Sequence, residues 1–268
     1  MLNNSPYPPD WLVPDWEAPP WVRSVFSSRS GGVSEGPYGS MNLGDHVGDL
    51  PSAVHQNRQL FANALQARPV FLSQVHGVST LDLLASAPDG QFADAAVSQS
   101  KGVACTVMVA DCLPVLLAHR QVPLVAAAHA GWRGLAGAQG SGVLESAVRR
   151  LAELAGQASD HGADVVAWMG PCIGPTAFEV GDEVRAVFVL THPQAADCFE
   201  PRGPGKWLAN LPALARLRLQ GLGISAIAGN DGSEGWCTVC QASRFFSYRR
   251  DSRAGIGTGR MAASVWLV

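Results

Sequence analysis

Between residues 103 and 130 the chain is dominated by apolar positions cut into short runs, not spread at helical spacing. Residues 103–109, 113–118 and 122–128 are partly β-branched and bounded by turn residues, which predicts three buried strands. Glycines at 131, 134, 137, 140 and 142 follow, and the period then changes. Val143, Leu144, Ala147, Val148, Leu151 and Leu154 fall on one face of a 3.6-residue repeat, predicting a helix over 143–155. A strand, a glycine-rich turn and a helix are therefore expected in sequence.

The same reading extends to both sides of this centre. It predicts strands over 22–27, 70–74, 165–169, 224–228 and 262–268, and helices over 53–65, 180–189 and 207–220, the last with Gly221 suited to its C-cap. Residues 29–43 form a long polar loop dense in Gly and Ser, and loops of that length are often functional. Strands mixed with helices give an α/β or α+β class with a mixed sheet. With no charge run, linker or repeat dividing it, the chain is expected to form one domain over residues 1–268, with 1–20 an irregular lead-in.

Composition narrows the function. The 268 residues are 47% hydrophobic and 15% charged, enough to bury a substantial core and incompatible with disorder. A net charge of -3 with scattered arginines lacks the basic footprint of a nucleic-acid binder, so no nucleic acid is expected as a partner. The first residues have neither a basic nor an apolar leader region, and the longest apolar stretch is broken by Asp111, Cys112 and Pro114. A cytoplasmic protein, not membrane-bound, is expected. The six cysteines accordingly read as thiols and not as a disulfide framework.

Three strand ends carry chemistry beside a tight turn: Gln74-Val75-His76-Gly77, Ala110-Asp111-Cys112-Leu113-Pro114 and His129-Ala130-Gly131-Trp132-Arg133-Gly134. Two His and one Cys suit a catalytic zinc, which keeps its fourth position for water or substrate, and the same trio suits copper. It also suits a cysteine nucleophile, with Cys112 activated by His129 or His76. Residue types and spacing leave metal and nucleophile both open.

A wider set of motifs adds to this. Arg29-Ser30-Gly31-Gly32-Val33-Ser34, Asn42-Leu43-Gly44, His46-Val47-Gly48-Asp49, the three strand-end motifs, Gly170-Pro171-Cys172-Ile173-Gly174, Phe178-Glu179-Val180 and Phe245-Phe246-Ser247-Tyr248-Arg249-Arg250-Asp251 occur in order from residue 22 to the C-terminus. Together they resemble the YfiH, or laccase-domain, family. The resemblance implies a four-layer α/β/β/α sandwich with mixed sheets and a metal site, zinc or copper, at His76, Cys112 and His129. It implies a purine nucleoside phosphorylase acting on adenosine, inosine and methylthioadenosine, with adenosine deaminase activity. Members are also described as polyphenol oxidases and as peptidoglycan editing factors, so a copper oxidase and a cysteine amidase on peptidoglycan precursors stand as alternatives.

Phosphorolysis needs an anion site. Arg29 in the polar loop and Arg133 in the glycine turn are the candidates for phosphate, with Ser40 and Asn42 as further substrate contacts. Asp111 is a candidate support for Cys112, and Trp132 a candidate stacking surface for a purine. Tyr248, Arg249 and Arg250 are read either as closing over the site or as a rim. Cys237-Thr238-Val239-Cys240 has no second Cys or His pair to complete a zinc knuckle and is read as coincidence. The expected assembly is a monomer binding a purine nucleoside and phosphate.

Overall fold

Strands that read as unbroken apolar runs divide their side chains between two faces, and this division builds the architecture. The computed structural model describes residues 7–157, 162–253, 255 and 257–268. A four-stranded sheet runs in the order β1 (Val22–Phe26), β13 (Met261–Leu267), β5 (Val103–Val109), β2 (Arg68–Phe71). A six-stranded mixed sheet runs β12 (Ile227–Gly229), β8 (Val165–Met169), β6 (Leu113–His119), β7 (Val125–Ala130), β4 (Ala95–Ser98), β3 (Thr80–Asp82). A third, small sheet joins β10 (Phe199–Gly203), β11 (Lys206–Ala209) and β9 (Glu179–Gly181).

Alternation assigns each side chain to a layer. Val103, Cys105, Val107 and Val109 of β5 enter the core between the two large sheets, where they meet Leu116 and Ala118 of β6, Val125 and Ala127 of β7, and Trp168 of β8. Ala104 and Met108 of β5 face the other way and pack with Phe61 and Leu65 of α1 (Pro51–Leu65). On the far face of the larger sheet, Val115, Leu117, Ala126 and Ala128 meet Val143, Leu144, Ala147, Val148 and Leu151 of α3 (Val143–Leu154). Helix α5 (Leu211–Gly221) adds Leu214 and Leu219 to the same core. Three cores between four layers give the α/β/β/α order. Both large sheets are covered on both faces, which is why their strands are hydrophobic throughout instead of alternating.

Several elements start later than the periodicity predicts. The helix expected from residue 180 is α4 (Asp182–Thr191); Val180 lies in β9, and Asp182 and Glu183 fill the first helical turn, where acidic groups favour the helix dipole. The helix expected from Trp207 begins at Leu211, because the Asn210 side chain accepts the Ala213 N–H and Pro212 occupies the first turn. Trp207 belongs to β11. The strand expected over 70–74 ends at Phe71, and that expected over 224–228 begins at Ile227. The short α2 (Trp132–Ala136) and α6 (Tyr248–Arg253) lie in stretches without a clear period.

All six cysteines are free thiols. Among the described residues, no helix is long and apolar enough to cross a membrane. The inter-sheet core sets the first expectation. Leu116→Ala, at a side chain with no exposure, should lower urea-unfolding stability by about 2–5 kcal/mol. Leu190→Ala, at a leucine 86% exposed on α4, should stay within about 0.5 kcal/mol of the parent.

Candidate metal centre

The two large sheets bring three distant turns to one place. Cys112 sits in the turn between β5 and β6, His129 near the end of β7, and His76 in the loop after β2. One donor atom from each lies within 4.8 Å of the others, and Cys112 Sγ is 3.7 Å from His76 Nε2. Donors on a tetrahedral zinc with ordinary Zn–N and Zn–S bonds stand about 3.3–3.6 Å apart, so the set fits one metal ion with small inward shifts. Gly131 permits this approach. A Cβ there would stand 2.9 Å from Cys112 Sγ and 3.0 Å from His76 Cδ2.

Asp94, just ahead of β4, holds two of the three candidate ligands. Its Oδ1 accepts from His129 Nδ1 at 2.8 Å and from the His76 N–H at 2.9 Å, and its Oδ2 accepts from the N–H groups of Gly77 at 2.7 Å and Val75 at 3.2 Å. A carboxylate only accepts, so the His129 proton is on Nδ1 and Nε2 is free to act as donor to a metal. His76 adopts a left-handed backbone with φ +58°. That conformation costs about 1–2 kcal/mol for a residue with a Cβ, whereas a hydrogen bond to a charged group contributes roughly 1.5–3 kcal/mol. The backbone bonds to Asp94 therefore outweigh the strain.

The charges are tightly matched. Burial alone would raise the Cys112 thiol, but the charge and hydrogen bonding of His129, followed by those of His76, overcome it and bring the pKa to about 6. Burial would lower His129, but Cys112 and Asp94 carry it up to about 9. Burial also pushes Asp94 upward, and the His129 and backbone hydrogen bonds reverse this and hold it below the usual carboxylate range. These shifts favour a Cys112 thiolate beside a protonated His129, with the Asp94 carboxylate behind it.

The trio opens on a cavity of about 490 Å³, within the ~300–1,000 Å³ of small-molecule sites. Its apolar wall includes Met108, Trp132, Ile173, Phe178 and Leu211, and its polar wall includes His46, Gln74, Asp111, Tyr248 and the arginines 133, 249 and 260. Gln74 is fixed by a two-way bond to the end of β5, donating to the Met108 carbonyl at 2.8 Å and accepting its N–H at 2.7 Å. Asp111, at φ +96°, accepts from the Thr238 hydroxyl and, at 2.6 Å, from the Arg249 N–H. Its carboxyl is pushed above the usual range by burial.

Of the substrate contacts expected from sequence, Arg133 lines this cavity; Arg29, Ser40 and Asn42 do not. The Arg29 guanidinium donates to the carbonyls of Gly39 and Ala242 and lies 4.8 Å from the Phe246 ring centre. Ser40 Oγ accepts the N–H groups of Gly31 and Gly32. Asn42 is buried and ties Gly44, Asp49 and Arg260 together. The polar loop is thus held by its own bonds. Arg249 and Tyr248 reach the cavity wall from the Tyr-Arg-Arg run, while Arg250 donates to the carbonyls of Thr238 and Phe245. The Cys237 to Cys240 turn carries Thr238, and Cys237 Sγ accepts the N–H groups of Gly174 and Cys240.

A family model described as "Multi-copper polyphenol oxidoreductase laccase" matches residues 23–268. The chain belongs to this laccase-like family. Among its relatives are Purine nucleoside phosphorylase PA4543 of Pseudomonas aeruginosa, 48% identical over 96% of this chain and 98% of the relative, and Purine nucleoside phosphorylase YfiH of Escherichia coli, 46% identical over 96% and 98%. The crystal structure of NMB0706 from Neisseria meningitidis superposes with a TM-score of 0.84 at 43% identity, covering 96% of this chain and 99% of that one. YlmD from Geobacillus stearothermophilus gives 0.82 at 31% identity, covering 93% and 94%. The family's mixed-sheet fold is the one observed here.

Asp94→Asn tests the support of the centre. It keeps the size of the side chain but replaces the charge shared by His129 and the 75–77 turn. Zinc affinity, measured by competition with a chromophoric chelator, should fall about 10–100-fold while the far-ultraviolet circular dichroism is retained. An affinity equal to that of the parent would remove Asp94 from this role.

Proposed function

We propose that the chain is a zinc-dependent purine nucleoside phosphorylase acting on adenosine, inosine and methylthioadenosine, and that the same centre deaminates adenosine. The observation that carries this reading is the shared wall of one cavity, where the His76–Cys112–His129 trio and three guanidinium groups meet an apolar surface. The name carried by the relatives, purine nucleoside phosphorylase, supports the same substrate class.

Each part of the pocket answers a need of the reaction. Phosphorolysis breaks the bond from ribose C1′ to the base and forms one from C1′ to a phosphate oxygen, yielding free base and ribose 1-phosphate. Trp132, Phe178 and Ile173 offer apolar and aromatic surface for a purine. The arginines offset the charge of the incoming phosphate and hold it near the sugar. Asp94 keeps His129 in one tautomer and one orientation throughout. Zinc, when bound by the trio, supplies Lewis acidity and a position for water or substrate.

Copper oxidase chemistry asks for more donors than are gathered here. A laccase combines a blue-copper site of two His and a Cys with further histidines around a second cluster. Among the described residues, His46 lines the cavity with its Nδ1 3.4 Å from Asp45, His55 contacts Gln59, His119 accepts backbone N–H groups of Gln121 and Val122, and His192 contacts Thr191. His161 lies outside the described residues. Among the described residues, the group of three donors close enough to share an ion is the His76–Cys112–His129 trio.

One observation favours a second reading, a cysteine hydrolase on peptidoglycan precursors: the Cys112 pKa of about 6 with His76 Nε2 at 3.7 Å. Turnover separates the two. Zinc-loaded protein with adenosine and phosphate should yield adenine and ribose 1-phosphate, with inosine marking deamination, and Cys112→Ala should abolish all three products. Base release independent of phosphate would end the phosphorylase reading. Metal-independent hydrolysis of peptidoglycan precursors, stopped by alkylation of Cys112, would establish the hydrolase in its place.

A further inference from the structure

Three arginines lining one pocket need a physical reason. Among the described residues, none of Arg133, Arg249 and Arg260 has a carboxylate within salt-bridge distance. Like charges gathered in a concavity repel one another and lose hydration, so their retention points to an anion that joins them. They are not equivalent. Arg133 is exposed, with its guanidinium 4.4 Å from the Trp132 ring centre. Arg249 spends Nη1 on the Glu179 carbonyl at 3.0 Å.

Arg260 is the one whose whole setting is built. Its backbone N–H donates to Asn42 Oδ1 at 2.9 Å and its carbonyl accepts the Leu43 N–H at 3.0 Å. A Cβ on Gly44 would stand 2.7 Å from Arg260 Cγ, so only glycine at 44 lets the side chain lie where it does. Nη1 donates to the carbonyls of Thr258 and Gly259 at 3.2 and 3.1 Å. Among the described residues, Nε and Nη2 have no protein acceptor. These two N–H groups form one edge of the guanidinium, the geometry that grips two oxygens of a phosphate at once. Arg260 lines the same cavity as the trio, and burial holds its pKa below the usual arginine value against the opposing pull of Cys112 and Asp111.

We propose that the Nε–Nη2 edge of Arg260 is the oxyanion receptor of the pocket, binding inorganic phosphate bidentately, with Arg249 supplying a second cation. Asn42, Leu43 and Gly44 then act through Arg260, by fixing its backbone and stem. The identification of the anion as phosphate rests on the phosphorylase reading.

The experiment titrates inorganic phosphate into zinc-loaded protein by calorimetry, without nucleoside, and then measures KM for phosphate and for adenosine separately. Arg260→Gln should weaken phosphate binding and raise its KM roughly tenfold to a hundredfold, the loss of a charge-assisted pair. The KM for adenosine should move less than about twofold, an uncoupled contact. Arg260→Lys, which keeps the charge and loses the fork, should fall between Gln and the parent. Arg149→Gln, on the exposed face of α3, should match the parent. In the unaltered protein, phosphate should protect Arg260 from phenylglyoxal, read by mass spectrometry, which makes the test independent of variant folding. Phosphate-dependent turnover with unchanged phosphate KM in Arg260→Gln, or no protection of Arg260, would overturn the receptor and leave the phosphorylase reading standing. Base release without any phosphate binding would overturn both.

Discussion

The Asp94 carboxylate is the contact on which the centre depends. It is fully buried, and it is bonded to His129 twice: through its side chain, and through its main-chain carbonyl, which accepts the His129 N–H at 2.7 Å. The antiparallel ladder of β4 and β7 continues from that point, with Ala95 opposite Ala128. The distance between carboxylate and imidazole is therefore set by sheet geometry and not by a flexible side chain. The same carboxylate gathers three successive N–H groups of the 75–77 turn, and so a second ligand, from a segment outside that sheet, is referenced to the same ladder. A buried unpaired carboxylate would be expensive; this one is saturated with donors.

A second anchor works from the opposite side of Cys112. Asp111 adopts a left-handed backbone to turn the chain from β5 into β6, and its carboxyl is held by Thr238 and by the backbone of Arg249. Those bonds draw the C-terminal segment, with Tyr248 and Arg249, onto the rim of the cavity. The Cys-Thr-Val-Cys turn gains its place here through the threonine between its two cysteines. One acidic side chain thus shapes the ligand turns and another recruits the pocket wall.

Much of this architecture could be read from the chain, because the strands of the two covered sheets are long apolar runs and α3 shows a clear helical face. The convergence of His76, Cys112 and His129 was suggested for a related reason: each stands where an apolar run meets a glycine or proline. Asp94 left no such trace. It is one of 22 acidic residues, and the strand after it, Ala-Ala-Val-Ser, is too short and alanine-rich to stand out. Trp207 and Leu208 continue the spacing of α5 although they belong to β11, since periodicity does not see the Asn210 cap that starts the helix. In the loop over 29–43, Arg29 and Asn42 looked like binding residues because polar side chains in a Gly/Ser-rich loop commonly are. Arg29 donates to the carbonyls of Gly39 and Ala242, and Asn42 donates to Gly44 and Asp49 and accepts the N–H groups of Gly44 and Arg260; the contacts of Arg29 with Ala242 and of Asn42 with Arg260 join residues far apart in sequence. No local pattern encodes those.

The pocket holds charges of both signs. The Cys112 thiol and the imidazoles of His76 and His129 form a set that suits a cation, while Arg133, Arg249 and Arg260, without ion-pair partners among the described residues, line the same cavity and suit an anion. Each group is tied to its own framework: Asp94 and the β4–β7 ladder behind the trio, Asn42 and Gly44 beside Arg260. Independent support is useful chemistry. A reaction in which an anionic nucleophile displaces a neutral base from a sugar needs the nucleophile's charge offset on one face and the leaving group or sugar polarised on another, with apolar surface between to exclude water. A pocket in which cation-suited and anion-suited groups are held by independent frameworks can keep both partners in place at once.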